Sequence, residues 1–107
     1  MRLFLYGTLL DPRILASRSG DPALPQRCRH AVLRGWRRVT LARTRLPTLR
    51  HCANATTAGK VVVAGAAALR RLAAYEGAEY RLRRLLVELR TPVWAWIALG
   101  GTQQPWP

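Results

Sequence analysis

Residues 60–65, Lys-Val-Val-Val-Ala-Gly, run without a break into Ala-Ala-Ala-Leu-Arg-Arg-Leu-Ala-Ala-Tyr-Glu-Gly at 66–77. Three successive valines favour an extended strand, because branching at Cβ costs rotamer freedom in a helix. Ala, Leu and Arg favour a helix, and Gly77 is the residue type that best closes one. One strand thus turns at Gly65 into one helix, and any fold of this chain must accommodate that corner. A second corner stands at the N-terminus. Residues 2–6, Arg-Leu-Phe-Leu-Tyr, read as a strand apolar on both faces. After Gly7-Thr8-Leu9-Leu10, Asp11 is placed to cap a short helix with Pro12 in its first position, ending near Gly20.

The rest of the chain reads as strands and loops. Residues 27–34 and 36–43 alternate and suggest two strands broken at Gly35. Residues 43–59 read as a loop, punctuated by Pro47, Asn54, Thr56, Thr57 and Gly59. Residues 80–90 alternate again, with Leu85, Val87 and Leu89 on one face. Thr91-Pro92 reads as a turn, residues 93–99 as a last strand, and residues 100–107 as an irregular tail. Several strands with two short helices predict an α+β fold: a mixed, mostly antiparallel sheet curled into a small barrel and flanked by the helices. The 107 residues fit a single domain, 1–107, with one modest core.

Composition narrows the classes. Half of the residues are hydrophobic, a globular composition. No apolar run reaches the roughly 18–20 residues of a membrane helix. No small-residue cleavage site follows the N-terminal apolar stretch, so a soluble, cytoplasmic protein without membrane partners is expected. The net charge of +13 invites a nucleic-acid reading. Against it, Lys60 is the one lysine among 18 basic residues, and the arginines are spread from Arg2 to Arg90 in clusters no longer than two. A solvated arginine-rich surface is the simpler reading.

Cys28, His30, His51 and Cys52 offer four potential metal ligands. Adjacent His51 and Cys52 on a strand would point to opposite faces, which suits a zinc site poorly. They are read as two buried thiols and two incidental histidines, and neither a metal nor a cofactor is expected.

On a helical wheel of residues 66–77, Leu69, Leu72 and Ala73 form an apolar stripe whose next position is Glu76. A carboxylate aimed at the core, in the last turn of a helix, has two reasons for a raised pKa: desolvation and the helix dipole. That suits a general acid/base. The structural alternative ends the stripe at Ala73 and lets Glu76 fray into solvent beside an arginine. Tyr80 opens the next strand, where its phenol could orient a carboxylate or a polar substrate, or simply close the edge of the core. Glu79 reads as a surface turn residue.

The strand end Tyr6-Gly7-Thr8-Leu9 is a place where backbone N–H groups are free to hold an anion. Taken together, "LFLYGTL" from residue 3, "GWRRV…LPTL" in the middle and "LAAYEGAEYRLRRLLVEL" late in the chain resemble the gamma-glutamylcyclotransferase-like family. Small bacterial members and the gamma-glutamylamine cyclotransferases are the most similar. The resemblance implies a small mixed barrel with a cavity at the first strand–helix junction. It implies that Tyr6, Gly7, Thr8 and Leu9 hold the γ-glutamyl portion of a substrate, largely through backbone amides, and that Glu76 is the acid/base. The implied reaction closes the γ-glutamyl group into 5-oxoproline and releases an amine. Trp96 stands where the family usually carries a tyrosine. Two other readings remain: a non-catalytic binding or regulatory module on the same fold, and a basic nucleic-acid binder.

Overall fold

The computed structural model describes residues 1–41, 46–88, 90–98 and 103–105, the last three by backbone alone. Six strands, β1 Arg2–Leu5, β2 Arg29–Leu41, β3 Pro47–Val63, β4 Tyr80–Val87, β5 Thr91–Ala98 and β6 Gln103–Pro105, form one sheet in the order β4-β5-β1-β3-β2-β6. All neighbours are antiparallel except β1 and β5, which run parallel with Leu3 opposite Trp94. Two helices complete the α+β fold: α1, Pro12–Ser19, and α2, Ala66–Glu76. The sheet curls, and the Glu88 N–H donates to the Val32 carbonyl across the gap between β4 and β2. No strand ladder closes that gap among the described residues, so the expected barrel is an open, curled sheet.

Strand β1 is central, and Leu3, Phe4 and Leu5 are all buried because both of its faces are covered. Leu3 and Leu5 join Leu15, Leu72, Val62 and Trp96 under the helices. Phe4 and Tyr6 join Leu33, Leu49, Leu85 and Val93 on the other face. Two small cores therefore share one sheet.

Both corners form as expected. The Asp11 carboxylate accepts from the Arg13 N–H at 2.9 Å, Pro12 opens α1, and Gly20 closes it at φ +70°. Gly77 closes α2 at φ +85°, and its N–H donates to the Ala73 carbonyl. The buried side of α2 carries Ala68 and Leu72, with Leu69 half-buried. Ala73 is exposed, so the stripe is turned slightly from the wheel's position.

Four readings are corrected. Residues 29–41 make one strand rather than two: Gly35, at φ +84°, lies where the β2–β3 register shifts, so the glycine bends the strand without ending it. Its predicted first residue, Arg27, falls instead in a 3₁₀ turn, Leu24–Arg27, while residues 42–43 lie outside the described set. The expected loop is wrong from Pro47 onward, because β3 already begins there. Its small polar residues carry no alternation, but pairing with β2 satisfies their backbone, and Thr57 donates to the Trp36 carbonyl at 2.8 Å. Thr91 and Pro92 belong to β5, and the preceding turn holds Glu88 at φ +52°. Part of the tail, Gln103–Pro105, pairs with β2. Leu89, Leu99 and residues 100–102, 106 and 107 lie outside the described set.

Candidate active site

Strand β1 delivers Tyr6 at its end, and the chain then turns through Gly7 into a 3₁₀ turn, Thr8–Leu10. The Leu10 N–H donates to the Gly7 carbonyl and the Asp11 N–H to the Thr8 carbonyl. The N–H groups of Thr8 and Leu9 open this turn, where a helical segment has no internal acceptor for them. A Cβ on Gly7 would lie 2.7 Å from Cγ of Pro47. The glycine is thus required by the proline packed over it, a reason that residues 4–12 alone do not disclose.

Helix α2 ends beside this junction. Tyr6, Gly7, Thr8, Leu9, Glu76 and Tyr80, the six residues singled out from the sequence, all line one cavity of about 180 Å³. Phe4, Leu5, Leu46, Pro47, Tyr75 and Trp96 complete its wall. Among the described residues the lining contains no Arg, Lys or His, although the chain carries a net charge of +13. Glu76 is half-buried, and burial pushes its carboxyl up to about 7. Among the described residues no hydrogen bond or ion pair engages that carboxyl. Near neutral pH it therefore exchanges readily between acid and base. Glu79 lies exposed in the turn after α2.

Tyr6 and Tyr80 both lend their phenols to the frame around the cavity. The Tyr80 phenol donates to the Pro47 carbonyl at 2.8 Å, and burial pushes its pKa up to about 12. The Tyr6 phenol donates to the Trp96 carbonyl, and burial raises its pKa well above the usual phenol value. Both remain neutral and are committed to backbone carbonyls, so they brace the cavity walls. Thr48 adds a third brace, accepting from the Ala98 N–H at 2.9 Å.

Phe4, Leu5, Leu46, Pro47 and Tyr75 were not singled out from the sequence, and two of them matter most. Tyr75 was detectable, since it stands three residues after buried Leu72 on the same side of α2. Its hydroxyl lies 2.8 Å from Thr8 Oγ1. Pro47 carries no local signal, because only the long-range pairing of β3 brings it over Gly7. The four potential metal ligands do not form a site: His30 and His51 are exposed, and His51 lies edge-on to Trp36. No group of three or more His, Cys, Asp or Glu side chains is placed to hold a metal among the described residues. No described helix is long and apolar enough to cross a membrane.

The fold has solved counterparts. A solution structure of an Arabidopsis thaliana protein superposes with a TM-score of 0.76 at 22% identity, covering 94% of this chain and 70% of that one. A second Arabidopsis thaliana solution structure gives 0.74 at 23% identity, covering 91% and 61%. The crystal structure of a uropathogenic E. coli-specific protein gives 0.69 at 14% identity, covering 98% and 91%. No curated protein sequence matches the chain significantly. The model of one family, gamma-glutamyl cyclotransferase, AIG2-like, matches residues 3–106. That span contains both walls of the cavity, the junction after Tyr6 and the end of α2 at Glu76, and the chain belongs to the gamma-glutamyl cyclotransferase, AIG2-like, family.

Proposed function

We propose that the cavity converts the γ-glutamyl group of a small amine or peptide into 5-oxoproline and releases the free amine. The observation that carries this reading is Glu76. Among the described residues that line the cavity it is the one ionisable carboxyl, raised by burial to about 7, and no Arg, Lys or His stands with it in a wall that it shares with Thr8 and Leu9. An ammonium group is the natural guest of such a carboxylate. Glu76 takes a proton from the substrate α-ammonium, and the freed amine attacks the γ-carbonyl carbon of the same molecule. A new C–N bond closes the five-membered ring, and negative charge gathers on the former carbonyl oxygen. The amides of residues 7–9 hold the substrate carboxylate or that oxygen. Glu76 then returns its proton to the departing nitrogen as the old C–N bond breaks. The ring nitrogen enters the ring with two hydrogens and a positive charge, and it gives its second proton to Glu76 as the lactam forms. That proton leaves with the released amine as its ammonium, so two protons pass from the α-nitrogen to the leaving nitrogen. Because the attack is intramolecular, the protein mainly folds the substrate and relays these protons.

The test is 5-oxoproline release from a panel of γ-glutamyl amines and γ-glutamyl peptides. Release is expected from at least one of them, with a fall of about 100-fold or more in Glu76→Gln, the scale of a lost general acid/base. Undiminished release by that variant would remove Glu76 from the chemistry. Substrate binding with no release by the parent protein would favour a non-catalytic module.

A further inference from the structure

Tyr75 is exposed to neither of the roles that the other aromatic residues of the cavity fill. Its phenol is not spent on a backbone carbonyl, and its side chain is only half-buried. Its hydroxyl lies 2.8 Å from Thr8 Oγ1, a contact 67 residues apart in sequence and open to solvent. From the other side, the Arg18 guanidinium at the end of α1 lies over the Tyr75 ring, 5.1 Å from its centroid. One side chain thus touches the turn after β1 through its hydroxyl and α1 through its ring, while its backbone is continuous with Glu76.

A solvent-exposed hydroxyl pair adds little to folding, because water competes for both partners. Its leverage is geometric. The Thr8–Leu10 turn follows Gly7, and two backbone hydrogen bonds hold it, from Leu10 and Asp11. Helix α2 ends one residue after Tyr75, in a last turn that Gly77 closes. These are the two ends that must keep a fixed separation if a carboxyl on one and amides on the other are to act on one substrate.

We infer that the Thr8–Tyr75 hydroxyl pair is a latch that sets the distance between the amides of the first turn and the Glu76 carboxyl, with Tyr75 as a positioning residue. The inference rests on the cyclotransferase reading for its effect on turnover, and on the geometry alone for its effect on the turn. Arg18 keeps the ring in place, so Tyr75→Phe removes the hydroxyl while leaving the stacked arrangement. Thr8→Ser keeps a hydroxyl, and Thr8→Val removes it at nearly constant volume.

The experiment compares Tyr75→Phe, Thr8→Val, their double variant and Thr8→Ser in two measurements. In the first, kcat/KM for 5-oxoproline release falls about tenfold in Tyr75→Phe and in Thr8→Val, and falls no further in the double variant. Thr8→Ser, which keeps the hydroxyl, falls less than Thr8→Val. The pH at which activity is half-maximal stays near 7 in Tyr75→Phe, because a positioning residue moves no proton. In the second, amide hydrogen exchange of Leu10 and Asp11 quickens severalfold in the hydroxyl-less variants while melting temperatures hold. Additive losses, parental kcat/KM in Tyr75→Phe, or unchanged exchange would overturn the latch. Should the parent protein release no 5-oxoproline, the cyclotransferase reading fails, and the exchange measurement still decides whether the latch exists.

Discussion

Glu76 combines two properties that rarely coincide in one side chain: it is half-buried, and its carboxyl has no partner among the described residues. Burial penalises the charged form and lifts its pKa from 4.5 to about 7. Two outcomes follow at this scale. If Glu76 must begin each cycle as a base, kcat/KM rises with pH through about 7 and levels off above it, a limb that Glu76→Gln abolishes together with the rate. Stability runs the other way. The folded pKa lies above the unfolded one, so the favourable contribution of a protonated Glu76 is complete below about 4.5 and lost as pH rises through about 7. Glu76→Gln is therefore expected to be more stable than the parent by about 1–2 kcal/mol at pH 8, with the gap closing towards pH 5. Thermal melts at the two pH values check this, and an equal gap at both would mean that the carboxyl is not desolvated.

At the scale of elements, the cavity depends on how closely strands approach. Gly59 in β3 faces β1, where an added Cβ would lie 2.3 Å from the Leu5 carbonyl oxygen and 2.6 Å from Phe4 Cζ. Backbone cannot step aside as a flexible side chain does, so β1 and β3 must part if that position carries a methyl group. Gly59→Ala is expected to cost about 3 kcal/mol, read from urea denaturation. A loss under about 0.5 kcal/mol, the level of an ordinary surface change, would contradict this packing. At Gly7 the obstacle is the ring of Pro47, and Pro47 is itself held by the Tyr80 phenol. The wall of the cavity is thus three elements deep: the turn after β1, the first residue of β3, and the first residue of β4.

For the whole molecule, the division into two cores decides which mutations reach the site. Leu72 is fully buried beneath α2, and Leu85 is buried on the opposite face of the sheet. Truncating either to alanine should cost about 2–5 kcal/mol, a large share of the 5–15 kcal/mol typical of a domain. Their effects on Glu76 should differ. Leu72→Ala loosens the helix that carries the carboxyl, so its titration should drift down towards the ordinary carboxylate range. Leu85→Ala should leave it near 7. The pH dependence of kcat/KM, or a carboxyl titration by NMR, separates the two, and equal drifts would show that the cores are not independent. The charge follows the same division among the described residues: no cation lines the cavity, and Asp11 and Asp21 face Arg13 and Arg27 at 3.8 and 2.7 Å.

Much of this was legible along the chain, for reasons that act within a few residues. The Asp11-Pro12 start, the valines of 60–65 running into α2 and the stop at Gly77 are local preferences of backbone and side chain, and they survive in the folded protein. Glu76 was legible as well, because a helical period places it on the buried side whatever packs there. Residues 47–59 of β3 were not legible: their polar side chains have no periodicity, and only pairing with β2 makes an extended backbone favourable. Nor were the partners of the two phenols, since Tyr6 meets Trp96 and Tyr80 meets Pro47 across 90 and 33 residues. Helix and turn preferences are short-ranged and are written in neighbouring residues. The cavity is a set of distances between residues that only the folded sheet brings together, so its walls and the burial that lifts Glu76 belong to the tertiary structure.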